Sequence, residues 1–329
     1  MIELAAGLPR ARLGTFPTPV IRAGRLERAA HPSGGGGELL VKRDDLAGFG
    51  VAGNKTRPLE FLLGQALALG VEVLVTGGGP GSNFCPAAAM AARALGLDCE
   101  LVVWGDPNSP NLRLARASGA TLRPTGDDDR DAVDDLVARR AEQLWAGGRR
   151  ALGIPRGGST PLGAVGFAVA AAELADQLVD KLAAGQLAEL PGVIVLAVGS
   201  GGSCAGLLAG LAAVGLRIPV VGVSVSRPPA RIEARVWELA EGCARLLGTP
   251  VPTGGLEIVD ARGAGFGVAS ACERARARLA LHTEGLLLDH TYGAQALHVA
   301  LERTATGSVL FWHTGGLVPA VGALVREPG

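Results

Sequence analysis

The chain has 329 residues, 48% of them hydrophobic and 19% charged, and its 31 Lys plus Arg are balanced by 31 Asp plus Glu. This length holds two modest domains or one large one, and the composition excludes a disordered chain. Zero net charge leaves no basic field for a polyanion, so nucleic acid is not expected as a partner, and 50 glycines without a three-residue period exclude collagen.

The first 50 residues read as irregular chain with two strand-like pieces, PTPVIRAG and ELLVKRDD, separated by a flexible turn at Gly34–Gly37. A helix is expected over 57–69, with Pro58 tolerated in its first turn. From Val71 strand and helix alternate: strand 71–76, helix 82–95, strand 99–104, helix 108–117, strand 120–124 and helix 127–143. The stretch GIPRGGSTPLG (153–163) separates this unit from the rest. A helix over 164–181 then leads to the apolar strand of PGVIVLAVGSGGSCAG. Strand 218–226, helices 231–247, 266–280 and 292–303, strand 308–313 and a last helix within GGLVPAVGALV follow. Buried strands alternating with helices predict an α/β fold of open, mostly parallel sheets with helices on both faces. Two such units place a ligand in the cleft between them.

Five cysteines without a C-x-x-C pair read as small buried hydrophobes in a reducing cytosol. Five histidines without a ligand-spaced cluster suggest no metal. The N-terminus does not read as a signal peptide. Apolar stretches are broken before membrane-spanning length, so a cytoplasmic chain without a membrane partner is expected.

Five segments carry chemistry. In VGSGGSCAGLLAGL a strand runs into Gly199, Ser200, Gly201, Gly202 and Ser203 and then a helix. Such a turn points backbone N–H groups inward as a phosphate cradle, or is a bare βα turn. It is neither a Walker A loop nor a complete G-x-G-x-x-G fingerprint. Lys55, in GVAGNKTRPLE, precedes a helix whose dipole disfavours its ammonium form, as suits a nucleophilic amine. TGGGPGSNFC places Ser82 and Asn83 at a helix start, where N–H groups can meet a carboxylate or Ser82 can simply cap. DHTYGAQA holds Tyr292, the one tyrosine, and FWHTGG holds Thr314 at a strand end.

Together, LGTFPTPV, VKRDDLAG, GNKTRPLEFLLGQAL, Ser82–Asn83, PRGGSTPLGAVGF, VGSGGSCAGL, DHTYGAQA and HTGG resemble the pyridoxal-phosphate enzymes that include D-cysteine desulfhydrase and 1-aminocyclopropane-1-carboxylate deaminase. The resemblance runs from about Gly14 to the C-terminus. It implies fold type II, similar to the tryptophan synthase β chain, and a homodimer. It also implies a smaller domain over 52–165, with 1–51 joining 166–329 in the larger, cofactor-binding domain. By the same resemblance Lys55 forms the Schiff base with pyridoxal 5'-phosphate and Gly199–Ser203 hold its phosphate. Asn83 bonds its ring hydroxyl, and Thr314 faces its pyridine nitrogen. Ser82 and Tyr292 act on the substrate. The activity implied is α,β-elimination from a small, D-configured amino acid, giving a 2-oxo acid and ammonia. Replacement at Cβ, opening of the cyclopropane ring and a non-catalytic binding protein stay open.

Departures from the family pattern lie at the substrate wall. Phe84, Cys85 and Pro86 stand where the family reads His or Gln, any residue, and Arg. Phe266 replaces a tyrosine, and Gly293 stands where the cyclopropane enzymes have Glu. Phe84 and Phe266 are therefore expected to set substrate choice, toward an apolar or larger side chain.

Overall fold

A computed structural model describes residues 4–126 and 130–325. Its strands are β1 (Val20–Arg22), β2 (Leu39–Arg43), β3 (Val73–Gly78), β4 (Asp98–Val103), β5 (Thr121–Pro124), β6 (Ala151–Gly153), β7 (Val193–Val198), β8 (Val220–Ser224), β9 (Leu256–Asp260) and β10 (Val309–His313). Its helices are α1 (Gly24–Ala30), α2 (Thr56–Ala68), α3 (Phe84–Ala94), α4 (Pro110–Ala117), α5 (Val133–Ala146), α6 (Pro161–Ala183), α7 (Gly202–Ala213), α8 (Pro229–Leu247), α9 (Ala271–Glu284), α10 (Gly293–Arg303) and α11 (Leu317–Leu324).

Two sheets form. The larger has the order β1-β2-β10-β7-β8-β9, parallel except for the edge pair β1–β2, and the smaller is β5-β4-β3-β6, all parallel. Continuous apolar runs at β3, β7, β8 and β10 are buried because helices cover both faces of each sheet. Phe167, Leu174 and Leu178 of α6 pack with Leu207 and Leu211 of α7 on one face of the larger sheet. Leu297 and Leu301 of α10 cover the other. Leu59, Leu62 and Leu63 of α2 belong to the core of the smaller sheet, while Phe61 of the same helix packs against α6.

Several expectations shift. The helix read over 266–280 begins at Ala271, because Ser270 and Glu273 form a reciprocal capping box and Gly265 and Gly267 hold positive φ just before it. That leaves Phe266 on a loop. The helix read from Ser82 begins at Phe84, with Asn83 at its N-cap position. Asp127, the expected start of helix 127–143, lies outside the described residues, and α5 begins at Val133. α1, β6 and β9 were not foreseen. α6 runs for 23 residues and is long and apolar enough to cross a bilayer, contrary to the reading of interrupted apolar stretches. It is instead a largely buried core helix between α7, α2 and α8. Four cysteines are buried as expected; Cys272 is exposed.

Candidate active site

A cleft of about 390 Å³ opens at the C-terminal ends of strands from both sheets. It is lined by Lys55, Ser82, Asn83, Phe84, Gly199–Ser203, Phe266, Tyr292 and Thr314, so the residues expected to hold cofactor or touch substrate converge on it, whereas Cys85, Pro86 and Gly293 are not among its lining.

Lys55 ends a short 3-10 turn, Gly53–Lys55, that leads into α2. The N–H of Asn54 donates to the carbonyl of Thr314 at 3.0 Å, which ties this turn to the end of β10. Lys55 Nζ has no hydrogen-bonding partner among the described residues, and burial brings its pKa down to about 8. Burial accounts for this shift, and Lys55 stands at the N-cap position of α2, before the helix where the sequence placed it.

Below it, Arg57 is buried and grips Asp44 through Nε (2.8 Å) and Nη2 (2.7 Å), and Glu173 through Nη1 (3.1 Å) and Nη2 (3.0 Å). The Lys42 ammonium also bonds Glu173. Two cations meet two carboxylates, and despite desolvation the pairing holds both acids below their usual range.

The turn between β7 and α7 is shaped by Gly201, whose φ of 95° suits a residue without a side chain. The N–H groups of Gly201, Ser203 and Cys204 have no partner among the described residues. Ser159 Oγ donates to Ser200 Oγ at 2.6 Å, and Asn54 Nδ2 donates to Ser203 Oγ at 3.2 Å, fixing both hydroxyls. A Cβ on Gly157 would sit 2.2 Å from Ser200 Oγ, so the neighbouring loop can approach only as glycine. Unpaired N–H groups at a helix N-terminus with two hydroxyls form a donor set for a dianionic phosphate. With the Lys55 amine in the same cleft, the residues fit a phosphorylated aldehyde cofactor.

Across the cleft, the N–H groups of Asn83 and Phe84 have no partner among the described residues, while that of Cys85 donates to Ser82 Oγ at 3.3 Å. Asn111 Nδ2 donates to Asn83 Oδ1 at 3.2 Å, leaving the Asn83 amide nitrogen to donate. Tyr292 packs edge-on against Phe266, centroids 5.9 Å apart, and burial raises its phenol pKa. Its turn is held by Asp289, which is buried and accepts N–H bonds from Thr291 (3.2 Å), Tyr292 (3.2 Å) and Gly293 (2.8 Å). Burial outweighs those bonds and lifts the Asp289 carboxyl to about 6. The two rings at the proposed substrate wall differ. Phe266 is 37% exposed, whereas Phe84 is 2% exposed and belongs to the core of the smaller sheet.

Sequence reasoning missed four arginines that also line the cleft, Arg130, Arg156, Arg227 and Arg231, together with Trp104. Arg227 and Arg231 flank the start of α8, just beyond the end of β8. The rule that ligands lie at the carboxyl ends of parallel strands would have flagged SVSRPPARI.

The sequence pattern described as pyridoxal-phosphate dependent enzyme matches residues 11–315. A Pyrococcus abyssi protein provisionally named as a 1-aminocyclopropane-1-carboxylate deaminase is 35% identical over 322 residues, 95% of this chain and 93% of that one. The D-cysteine desulfhydrase of Salmonella choleraesuis is 33% identical over 324 residues, 94% of each. A crystal structure described as an ACC deaminase homologue superposes with a TM-score of 0.86 at 31% identity, covering 96% of this chain and 94% of that chain. A cleft with a buried amine and a phosphate cradle, on a fold shared across these relatives, has one reading: the chain belongs to the family of pyridoxal-phosphate dependent enzymes.

Proposed function

We propose that this enzyme catalyses α,β-elimination from a small D-amino acid with a leaving group on Cβ, giving a 2-oxo acid and ammonia. The observation that carries the proposal is the convergence of the Lys55 amine with the Ser82 and Tyr292 hydroxyls in one cleft. Bound pyridoxal phosphate supplies an electron sink for the charge left at Cα. Gly199–Ser203 would hold its phosphate, Asn83 its ring hydroxyl and Thr314 its ring nitrogen, and the Lys55 amine would anchor it covalently. The Lys55 amine is the base placed to take the α-proton; its lowered pKa keeps a usable fraction neutral near pH 7. The free N–H groups of Asn83 and Phe84, with Ser82, orient the substrate carboxylate. Tyr292, held by Asp289, hands a proton to the departing group. The enamine that leaves is hydrolysed in water to the oxo acid and ammonia.

Opening of a cyclopropane ring is a second reading, favoured by the names of the relatives. Against it stands Gly293, which puts no carboxylate after Tyr292. Oxo-acid release from D-cysteine, β-chloro-D-alanine and 1-aminocyclopropane-1-carboxylate separates the two. Oxo acid from none of them, with product appearing once a second nucleophile is added, would turn the assignment to replacement.

The same proposal divides the chain into a larger domain of residues 1–51 with 166–329 and a smaller one of 52–165, which close on substrate and exclude water. It includes a homodimer, supported by Leu317, Val321 and Leu324 exposed along α11 and Val325 exposed at its C-cap. It also places the enzyme in the cytoplasm, supported by five unpaired cysteines.

A further inference from the structure

The cleft carries more positive charge than a cofactor phosphate and an α-carboxylate account for. The phosphate cradle is built from N–H groups and hydroxyls between β7 and α7, and the free N–H groups of Asn83 and Phe84 suit the α-carboxylate. The arginines belong to neither set. Arg156 is held by Asp134 (Nη2 to Oδ2 2.9 Å) and lies 5.9 Å from the Trp104 ring centroid. Arg231 lies 3.5 Å from Asp131. Arg227 differs: it is half-buried and lines the cleft, and although its carbonyl accepts from Ser224 Oγ, its guanidinium has neither a hydrogen bond nor a carboxylate within ion-pair distance among the described residues. Burial and the nearness of Arg156 and Arg231 lower its pKa, and the more weakly felt Asp134 and Asp131, which face Arg156 and Arg231, do not offset this. Just beyond it α8 begins at Pro228–Pro229 with no side-chain cap and no acid in its first turn, so the positive end of its dipole is unopposed.

A half-buried guanidinium without a counter-ion is costly unless a ligand supplies one. We propose that Arg227 is a specificity residue for a negatively charged group on the substrate side chain, a phosphate or sulfonate bonded to Cβ through its oxygen or sulfur, or a carboxylate carried on a thioether at Cβ. This rests on the elimination reading above and names its substrate class. A chloride or thiol side chain leaves Arg227 unpaired; an anionic substituent pairs with it by charge-assisted hydrogen bonds. The reaction balances without a further reactant. The α-proton is removed, the Cβ–heteroatom bond breaks with its electron pair leaving on the anionic group, and water hydrolyses the enamine to oxo acid and ammonia.

The test uses the holoenzyme and reads the shift of the lysine-bound cofactor band. S-carboxymethylcysteine is titrated against its carboxamide, which has the same size without the charge, and O-phosphoserine supplies a phosphate arm, each as both enantiomers. Wild type should bind the carboxylate at least tenfold more tightly than the carboxamide, and Arg227→Gln should bring that ratio to about one, with Arg227→Lys between. Cofactor affinity, measured separately by reconstitution, should not follow the ratio. A wild-type ratio near one for the carboxylate, with O-phosphoserine no better, overturns the proposal. So does an unchanged ratio in Arg227→Gln. If Arg227→Gln instead weakens cofactor binding while keeping the ratio, the guanidinium serves the cofactor's phosphate and the proposal is wrong. Band shifts and oxo acid from β-chloroalanine without any preference for charge leave elimination standing and sink only this inference. No shift with any of the amino acids sinks both.

Discussion

Replacing Lys55 with methionine should stabilise the cofactor-free protein at pH 7. The cleft holds the Lys55 pKa at about 8 because burial disfavours the ammonium. An ordinary lysine titrates near 10.4, and each tenfold weakening of proton binding corresponds to about 1.4 kcal/mol. With the partial solvent access of the cleft discounting the full difference, charging Lys55 costs the fold on the order of 1–3 kcal/mol. The sign follows from proton counting. Between about pH 8 and 10.4 the unfolded chain holds a proton on Lys55 that the folded chain has lost, so stability rises with pH through that window. Below pH 8 the full cost is present, and Lys55→Met removes it while the methionine thioether fills the same space. Urea unfolding of both cofactor-free proteins from pH 6.5 to 10.5 should show the variant ahead by on the order of 1–3 kcal/mol at pH 7 and the gap closing toward pH 10.5. The same amine predicts that the rate of cofactor capture by wild type rises with pH to a midpoint near 8. At pH 7 about one amine in ten is then neutral, roughly 200-fold more than for an ordinary lysine. A destabilised Lys55→Met, a gap that ignores pH, or a capture midpoint above 10 would refute the argument.

Arg57→Met should cost about 3–5 kcal/mol in urea unfolding, because it leaves Asp44 and Glu173 sharing only Lys42; a loss under about 1 kcal/mol would contradict the network. Because Asp44 and Glu173 titrate below their usual range, their contribution is present above the unfolded pKa near 4 and should be lost as the pH falls further. Asp289, raised to about 6, has the opposite sign: its ionisation should remove stability as the pH rises from about 4 to 6. Asp289→Asn should flatten that slope and lower turnover, since one amide cannot accept at both oxygens from Thr291, Tyr292 and Gly293. Phe266→Tyr should shift preference toward D-cysteine more than Phe84→His, which buries a polar ring in the smaller sheet's core; equal effects on the kcat/KM ratio would show that both rings face substrate.

Helix and strand alternation was legible because β3, β7, β8 and β10 are buried on both faces and must be continuous apolar runs. β6 and β9 escaped notice for the converse reason. β6 has three residues and β9 carries an alternating, half-exposed pattern, so neither leaves an apolar run. The glycine-rich turn, Lys55, Ser82, Asn83, Tyr292 and Thr314 stood out because each sits at an element boundary with unusual local chemistry, and those boundaries are the C-terminal ends of parallel strands or the starts of helices.

The sequence by itself determined the period of the elements, the glycines that backbone turns require, and the family those segments share. Only the tertiary structure decided how charges pair. Lys42, Asp44, Arg57 and Glu173 are far apart along the chain, and nothing local marks them as one buried network. Phe84 and Phe266 read alike in sequence, yet helix packing buries one and a glycine-flanked loop exposes the other. The same holds for arginines: Arg156 meets Asp134 across the fold, while Arg227 meets no carboxylate among the described residues. Pairing depends on distances between elements distant in sequence, and burial then sets what each unpaired charge costs.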